Sequence, residues 1–288
     1  MTLFALRKNI RSILEAGGSL APMPEADMLL CAVLGLGRAD LIAEGSREIG
    51  ETETEKAVES ARRRAAGEPL QYITGKAPFM GRMFNVTPDV LIPRFDTEIL
   101  CGEALKELSG LINSGCSSPK VLDLCTGSGI IAVTLGLEVP TANITASDIS
   151  AGALSVAELN AREFCANRID FVLSDLFEQL KGRKFDIIVS NPPYVSKTEM
   201  DLLPEEVGGY EPALALYGGI DGLDVYRKII SKAGEYLTEN GMLAFEIGMA
   251  QAAAVRALLE QAGFANIRVI RDLEDRDRVV RGNIAVNA

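Results

Sequence analysis

Val121-Leu122-Asp123-Leu124-Cys125-Thr126-Gly127-Ser128-Gly129-Ile130-Ile131-Ala132-Val133 is the stretch on which the fold turns. Its first four residues read as an apolar strand holding one acid, its middle as a glycine loop, and its end as the start of a helix. Glycines directly after a strand let the chain turn tightly and let a ligand approach the N-terminus of the next helix. Nineteen residues past Gly129, Asp148 ends the next apolar strand. A carboxylate there can accept hydrogen bonds from both hydroxyls of a ribose. Gly127-x-Gly129-x-x-Ala132 satisfies a dinucleotide fingerprint, and S-adenosylmethionine enzymes use a similar loop. The stretch therefore predicts a nucleoside-containing cofactor without choosing between the two.

Working outward, strand and helix patterns alternate from about residue 93. The predicted strands are Val121–Leu124, Ile144–Asp148, Ile169–Leu173, Phe185–Ser190, Met242–Ile247, Ile267–Ile270 and Val279–Ala285. The first five are apolar runs separated by helical segments, the pattern of a parallel sheet covered on both faces. The last two lie close together and predict an antiparallel hairpin at the sheet edge. Upstream, Leu3, Leu6, Ile10, Ile13 and Leu14 recur at helical spacing. A second helix begins at Pro24 and stops at Gly35 and Gly37, and a third covers Glu51 to Ala66 before Gly67. Leu70–Gly75 and Met83–Thr87 read as short strands with turn material at Gly81-Arg82. The predicted organisation is a helical domain over 1–75, a β-hairpin linker over 76–92 and a cofactor-binding domain over 93–288.

Composition narrows the function. With 288 residues the chain can bury a sizeable core. The net charge of −11 argues against broad binding to phosphate backbones. That charge is unevenly placed: residues 1–92 hold 11 basic and 12 acidic groups, and the remainder 18 and 28. Histidine is absent, which excludes catalytic triads, imidazole acid–base chemistry and most zinc sites. Five scattered cysteines, with no Cys-x-x-Cys, suggest neither a disulfide framework nor a metal clip and fit a reducing cytoplasm. No run is long and apolar enough to span a membrane, and the N-terminus lacks the pattern of a signal peptide.

Two further acids have open readings. Asp123 sits inside an apolar strand, where an unpaired carboxylate is costly. It either caps nearby backbone amides or faces a cationic cofactor. Asp175, after the third strand, is either a helix cap or an acceptor for an adenine amino group.

Asp186-Ile187-Ile188-Val189-Ser190-Asn191-Pro192-Pro193-Tyr194-Val195 carries the chemistry. A buried strand ends in two prolines, which cannot extend a ladder. An amide or aromatic-amine nitrogen is a poor nucleophile because its lone pair is delocalised. Two acceptors aimed at its N–H bonds can hold it so that nitrogen density points at an electrophilic methyl carbon. The Asn191 side-chain carbonyl is one such acceptor. The Pro192 backbone carbonyl is the other, pre-aimed by the fixed φ of the prolines. Tyr194 offers a face for a planar amide or base. Rate then comes from positioning and preorganised dipoles, without histidine.

Asp123–Gly129 together with Asn191-Pro192-Pro193-Tyr194 resembles the class I methyltransferases that act on amino groups conjugated to a π system. That group includes DNA adenine-N6 and protein glutamine-N5 enzymes. Leu70–Gly75, Phe84-x-Val86, Val90–Arg94, Asp96-Thr97-Glu98, Tyr210-Glu211-Pro212, Gly218-Gly219-x-Asp221-Gly222-Leu223 and Arg276-Asp277-Arg278 are similar, in order and almost end to end, to the bacterial peptide chain release factor glutamine methyltransferases. The sequence departs from their pattern at Phe95, where proline is usual, and at Cys125, where glycine is common.

The resemblance implies a seven-stranded, mostly parallel Rossmann-like methyltransferase sheet with an antiparallel edge hairpin, preceded by a small all-helical domain for docking a protein substrate. It implies S-adenosyl-L-methionine as donor, S-adenosyl-L-homocysteine as product and no metal. The implied cofactor-binding residues are Asp123, Thr126, Gly127, Gly129, Asp148, Ile149, Asp175, Leu176 and Asn191. Asn191, Pro192, Pro193 and Tyr194 would grip the substrate, with Asn191, Pro192 and Tyr194 catalytic. The implied substrate is the Gln of the Gly-Gly-Gln loop of class I release factors, with DNA adenine as the alternative. A cytoplasmic monomer without stable nucleic-acid binding or membrane association is expected. Arg94, Asp221, Asp224 and Arg276–Arg278 have plain readings as ion pairs, caps or a charged turn and are not placed among the catalytic residues.

Overall fold

The computed structural model describes residues 1–284, so Ala285, the expected end of the last strand, lies outside the described residues. The chain forms two compact units. The first is Met1–Lys76 joined by Pro204–Tyr210, and the second comprises Ala77–Leu203 and the described residues from Glu211 on.

The first unit contains α1 (Leu3–Ala16), α2 (Pro22–Leu34), α3 (Arg38–Ala43), α4 (Glu51–Ala65) and α5 (Leu70–Thr74). The periodic residues Leu3, Leu6, Ile10 and Leu14 are buried against Ala26, Leu29, Leu30, Ala57 and Ala61. Thr2 caps α1 by accepting from the Ala5 amide, and Gly35 ends α2 in the left-handed conformation that glycine adopts without strain. A Cβ on Gly17 would lie 2.6 Å from that of Ala65, so glycine permits the close approach of α1 and α4. The segment 204–210 joins this unit through Arg64, which bridges Glu25 and Glu206, and through the Tyr210 hydroxyl, which donates to the Ala66 carbonyl.

Leu70–Thr74 is helical, against the strand expected there. The run begins after Pro69 and ends at Gly75, whose φ of 70° stops the helix. Leu70 and Ile73 share one side at helical spacing, and a five-residue apolar run does not discriminate the two periods. The hairpin pairs β1 (Lys76–Phe79) with β2 (Arg82–Asn85). Its turn, Met80-Gly81, has positive φ at both residues, which suits a two-residue hairpin connection.

The second unit holds α6 (Thr97–Asn113), β3 (Lys120–Leu124), α7 (Ile130–Glu138), β4 (Asn143–Asp148), α8 (Ala151–Glu163), β5 (Ile169–Leu173), β6 (Phe185–Ser190), the short α9 (Lys197–Met200) and α11 (Ala213–Leu216), α12 (Asp224–Tyr236), β7 (Leu237–Glu246), α13 (Ala252–Gln261), β8 (Phe264–Arg271) and β9 (Asp277–Ile284); the short α10 (Glu205–Gly208) belongs to the first unit. Seven strands form one sheet in the order β5-β4-β3-β6-β7-β9-β8. The first five are mutually parallel, and β9 runs antiparallel to both β7 and β8, as the sequence predicts.

Both faces of the sheet are covered. Val121, Ile187, Val189, Met242 and Ala244 face a cluster containing α6, α7, Phe79 and Phe84. Leu122, Leu124, Ile188, Leu243 and Phe245 face α12 and α13. Successive side chains of a strand alternate between faces, so strands covered on both sides read as unbroken apolar runs. From β3 the chain steps outward to β4 and β5, then returns to β6 on the other side of β3. That reversal opens a crevice beyond the carboxyl ends of β3 and β6, where α/β sheets bind ligands.

Candidate active site

The crevice is a cavity of about 370 Å³. Val90, Leu91, Ile130, Ile131 and Leu176 supply apolar walls, and Asp148, Asp175 and Asn191 reach it with polar groups. The volume lies within the ordinary range for small-molecule sites.

The glycine loop forms one rim. Cys125, Gly127 and Gly129 have φ of 60°, 55° and 78°, so the chain reverses through three left-handed residues. Two carboxylates brace it. Asp123 Oδ2 accepts from Thr126 Oγ1 at 2.6 Å and from the Ala132 amide at 3.1 Å. Asp148 accepts from the Gly127 amide and the Ser150 amide, both at 2.9 Å. Asp123 is completely buried and its Oδ1 has no hydrogen-bond partner. Burial raises its pKa to about 7, against the hydrogen bonds it accepts. Burial also raises Asp148, opposed by its backbone amides.

This bracing decides what the loop can hold. A pyrophosphate needs free amides at the helix N-terminus. Here the Gly127 and Ala132 amides are already occupied by carboxylates, and Asp148 and Asp175 add negative charge to the wall. Negative charge facing the ligand favours a nucleoside cofactor without phosphates over the pyrophosphate of a dinucleotide.

The structure places the sequence-predicted residues in two groups. Thr126, Gly127, Asp148, Ile149, Asp175, Leu176, Asn191 and Pro193 line the cavity. Asp123, Gly129, Pro192 and Tyr194 stand behind the lining. Asp123 organises the loop from within the core. Gly129 serves packing, because a Cβ there would lie 2.8 Å from that of Ala157. Asp175 caps no helix: the segment after β5 is a turn, closed by the Glu178 amide donating to the Asp175 carbonyl.

Ser190 and Leu124 are register partners in the β3–β6 ladder, so the glycine loop and Asn191 leave the sheet side by side. Beyond Asn191, Pro192 is buried and Tyr194 packs among the residues of the α12–α13 face, where burial pushes its phenol pKa up. Gln251 Nε2 donates to the Tyr194 carbonyl at 2.9 Å. The glycine-rich segment 218–222 wraps this turn. A Cβ on Gly218 would lie 2.6 Å from the Pro193 carbonyl oxygen, and one on Gly222 would lie 2.3 Å from that of Tyr194.

Sequence reasoning missed two site residues. Asn191 Nδ2 donates to Thr97 Oγ1 at 3.3 Å, and Thr97 Oγ1 donates to Glu246 Oε2 at 2.6 Å. Both are buried, and Glu246 ends β7. The signal that singled out Asp123, an acid within an apolar strand, is also present at Glu246. The remaining charged motifs behave plainly. Arg94 pairs with Glu211, which also accepts from the Ile92 amide. Asp221 and Asp224 pair with Arg227 at the surface. Asp272 gathers Arg276 and Arg278 in the turn between β8 and β9. Among the described residues no group of three or more His, Cys, Asp or Glu is placed to hold a metal, and no helix is long and apolar enough to cross a membrane.

A nucleoside-type pocket at the switch point, flanked by an Asn-Pro-Pro-Tyr turn, defines a methyltransferase, and residues 105–205 match the Methyltransferase small domain. Residues 5–75 match the PrmC N-terminal domain. The chain belongs to the release factor glutamine methyltransferase family. It is 41% identical over 260 residues to the release factor glutamine methyltransferase of Geobacter sulfurreducens, covering 90% of this chain and 89% of that protein. It is 42% identical over 267 residues to that of Moorella thermoacetica, covering 92% of each. The fold is shared with the hMettl16 catalytic domain solved with MAT2A 3'UTR hairpin 1, with a TM-score of 0.57 at 14% identity over 86% of this chain and 85% of that one.

Proposed function

We propose that this enzyme transfers the methyl group of S-adenosyl-L-methionine to the side-chain amide nitrogen, N5, of the Gln in the Gly-Gly-Gln motif of class I peptide chain release factors. The observation that carries this reading is the placement of Asn191 on the cavity wall beside the glycine loop, with its amide nitrogen donating to Thr97 Oγ1, a neighbour on the same wall, so that the carbonyl is the end left for a ligand. A donor-rich side chain there would repel the N–H bonds of a carboxamide; a carbonyl accepts them. The family names of the relatives agree with a glutamine of a release factor as substrate.

When bound, the cofactor supplies an electrophilic methyl group on a sulfonium. Asp148 would hold the ribose hydroxyls, Asp175 the adenine amino group, and the Thr126–Gly127 backbone the rest of the nucleoside. Asn191 Oδ1 accepts one N–H bond of the substrate carboxamide at the cavity wall, and the second is assigned to the backbone carbonyl of Pro192, whose ring is buried behind that wall. This orients the nitrogen lone-pair density along the line of displacement. The bound sulfonium would supply the methyl group along that line and keep the electron pair of its own bond to carbon, and the substrate nitrogen, made acidic by the transfer, would release its proton. The protein's contribution is orientation, water exclusion by the apolar walls and fixed dipoles.

Docking of the protein substrate is assigned to the helical unit, which exposes Phe4, Leu20 and Ile42. The enzyme would act in the cytoplasm as a monomer, with no nucleic-acid partner, in keeping with a net charge of −11. Mass spectrometry of a purified release factor incubated with enzyme and cofactor tests the reading. One added methyl on the Gly-Gly-Gln glutamine is expected; an unmodified glutamine, or a methyl elsewhere, refutes it.

A further inference from the structure

An asparagine amide has two ends of nearly equal shape, and a methyl transferase that relies on its carbonyl must prevent it from flipping. The surroundings of Asn191 supply such a device. A carboxylate accepts hydrogen bonds and donates none. Glu246 Oε2 lies 2.6 Å from Thr97 Oγ1, so the single hydroxyl proton of Thr97 is committed to Glu246. The side of Thr97 Oγ1 that faces Asn191, 3.3 Å away, then carries only lone pairs. It can meet the NH2 end of the amide and would repel the oxygen end.

We propose that Thr97 and Glu246 are a positioning pair that locks the Asn191 amide with its nitrogen toward Thr97 and its carbonyl toward the substrate. The pair joins three elements: Glu246 from β7, Thr97 from the first turn of α6 and Asn191 from the end of β6. Both partners are almost fully buried, at 1% and 2% exposure, so water cannot replace either bond cheaply. Behind them, Arg278 of β9 pairs with Asp96 at 3.2 Å and with Asp272 at 3.1 Å, which anchors the start of α6 beside Glu246. This gives Asp96 and Thr97 of the Asp96-Thr97-Glu98 segment, and Arg278 of the Arg276-Asp277-Arg278 segment, a role in holding the lock.

The lock is sensitive to pH. Burial raises Glu246 to about 7, opposed by the hydrogen bond from Thr97 and by a weaker one from the Asn191 amide itself, which also draws the NH2 end toward Glu246. The charged and titratable groups facing it are Asp96 at the start of α6, Arg278 of β9, Cys101 of α6, Tyr194 of the Asn-Pro-Pro-Tyr turn and Tyr226 of α12. Arg278 favours its charged form and Asp96 opposes it. Once protonated, Glu246 can donate to Thr97, which frees the Thr97 proton to face Asn191 and removes the preference between the two ends of the amide.

The inference rests on the proposed methyl transfer, and its test separates the two. Thr97→Val, Thr97→Ser and Glu246→Gln are compared with the unaltered enzyme for kcat and KM on a purified class I release factor, for cofactor affinity by calorimetry, and for the Asn191 side-chain amide signal in enzyme labelled at asparagine nitrogen. The loss of one buried hydrogen bond should lower kcat about 10- to 100-fold in Thr97→Val and Glu246→Gln, with cofactor affinity within about threefold. Thr97→Ser, which keeps the hydroxyl, should recover most of the turnover. The unaltered enzyme should lose kcat below about pH 7, and Glu246→Gln should lack that limb. In Thr97→Val the Asn191 amide protons should shift and exchange faster with water. Full turnover in Thr97→Val, or an unmoved Asn191 signal, overturns the positioning pair. If the unaltered enzyme leaves the release factor unmethylated, the functional reading falls, and the Asn191 signal still judges the pair.

Discussion

Ser190 Oγ donates to the Leu124 carbonyl at 2.8 Å, tying together the last residues of two adjacent parallel strands. The residues that follow, Cys125 and Asn191, therefore enter the crevice from neighbouring points. Cofactor loop and substrate clamp are set by one ladder, and a shift of either strand would misplace both.

Asn191→Ala removes the carbonyl that accepts the substrate N–H while leaving the glycine loop intact. Transfer of labelled methyl to a release factor should fall by about 100-fold or more, on the scale of deleting one preorganised transition-state hydrogen bond. Calorimetry should show cofactor affinity largely kept. Near-normal turnover would remove Asn191 from the mechanism.

Asp148→Ala deletes a carboxylate that both faces the cavity and holds the Gly127 and Ser150 amides. Cofactor affinity should weaken by about 10- to 100-fold, the range for a hydrogen bond to a charged group. Titration of cofactor into the variant measures this directly, and unaltered affinity would show that the nucleoside lies elsewhere.

Gly129→Ala should destabilise the fold by about 2 kcal/mol or more, since a left-handed residue and a close contact are both disturbed. The new Cβ would lie 2.8 Å from Ala157 Cβ and 3.0 Å from its Cα, neither of which can swing away. Urea unfolding reads the difference, and a stable variant would mean that α8 retreats without cost.

Asp123 should make stability pH-dependent. Its folded pKa is raised by burial from 3.8 to about 7. A carboxyl raised on folding stabilises most when protonated, so its contribution is complete below about pH 4 and is lost as the pH climbs through about 7. Asp123→Asn removes that group's titration. The melting temperature of the unaltered protein should therefore decline more steeply across this window than that of the variant. Parallel curves would place the Asp123 proton differently.

Local signals were legible to different depths. The strands of the sheet could be read because burial on both faces turns each into an apolar run, and Ile169–Leu173 and Phe185–Ser190 match their predicted bounds. Leu70–Thr74 could not, because five residues carry too few repeats to tell a period of two from one of 3.6. The small helix Arg38–Ala43 went unread for the same reason.

The site divides along the same line. By itself the sequence determined the glycine loop, the acids at the strand ends and the Asn-Pro-Pro-Tyr turn, because each is contiguous and its residue types express local backbone demands. Only the tertiary structure decided which of them reach the cavity: Gly129 and Asp123 stand behind it, and Thr97 and Glu246, 149 residues apart in the chain, close on Asn191. Such partners are chosen by strand order and helix packing, and hydrogen bonds formed at that range leave no periodic trace in the chain.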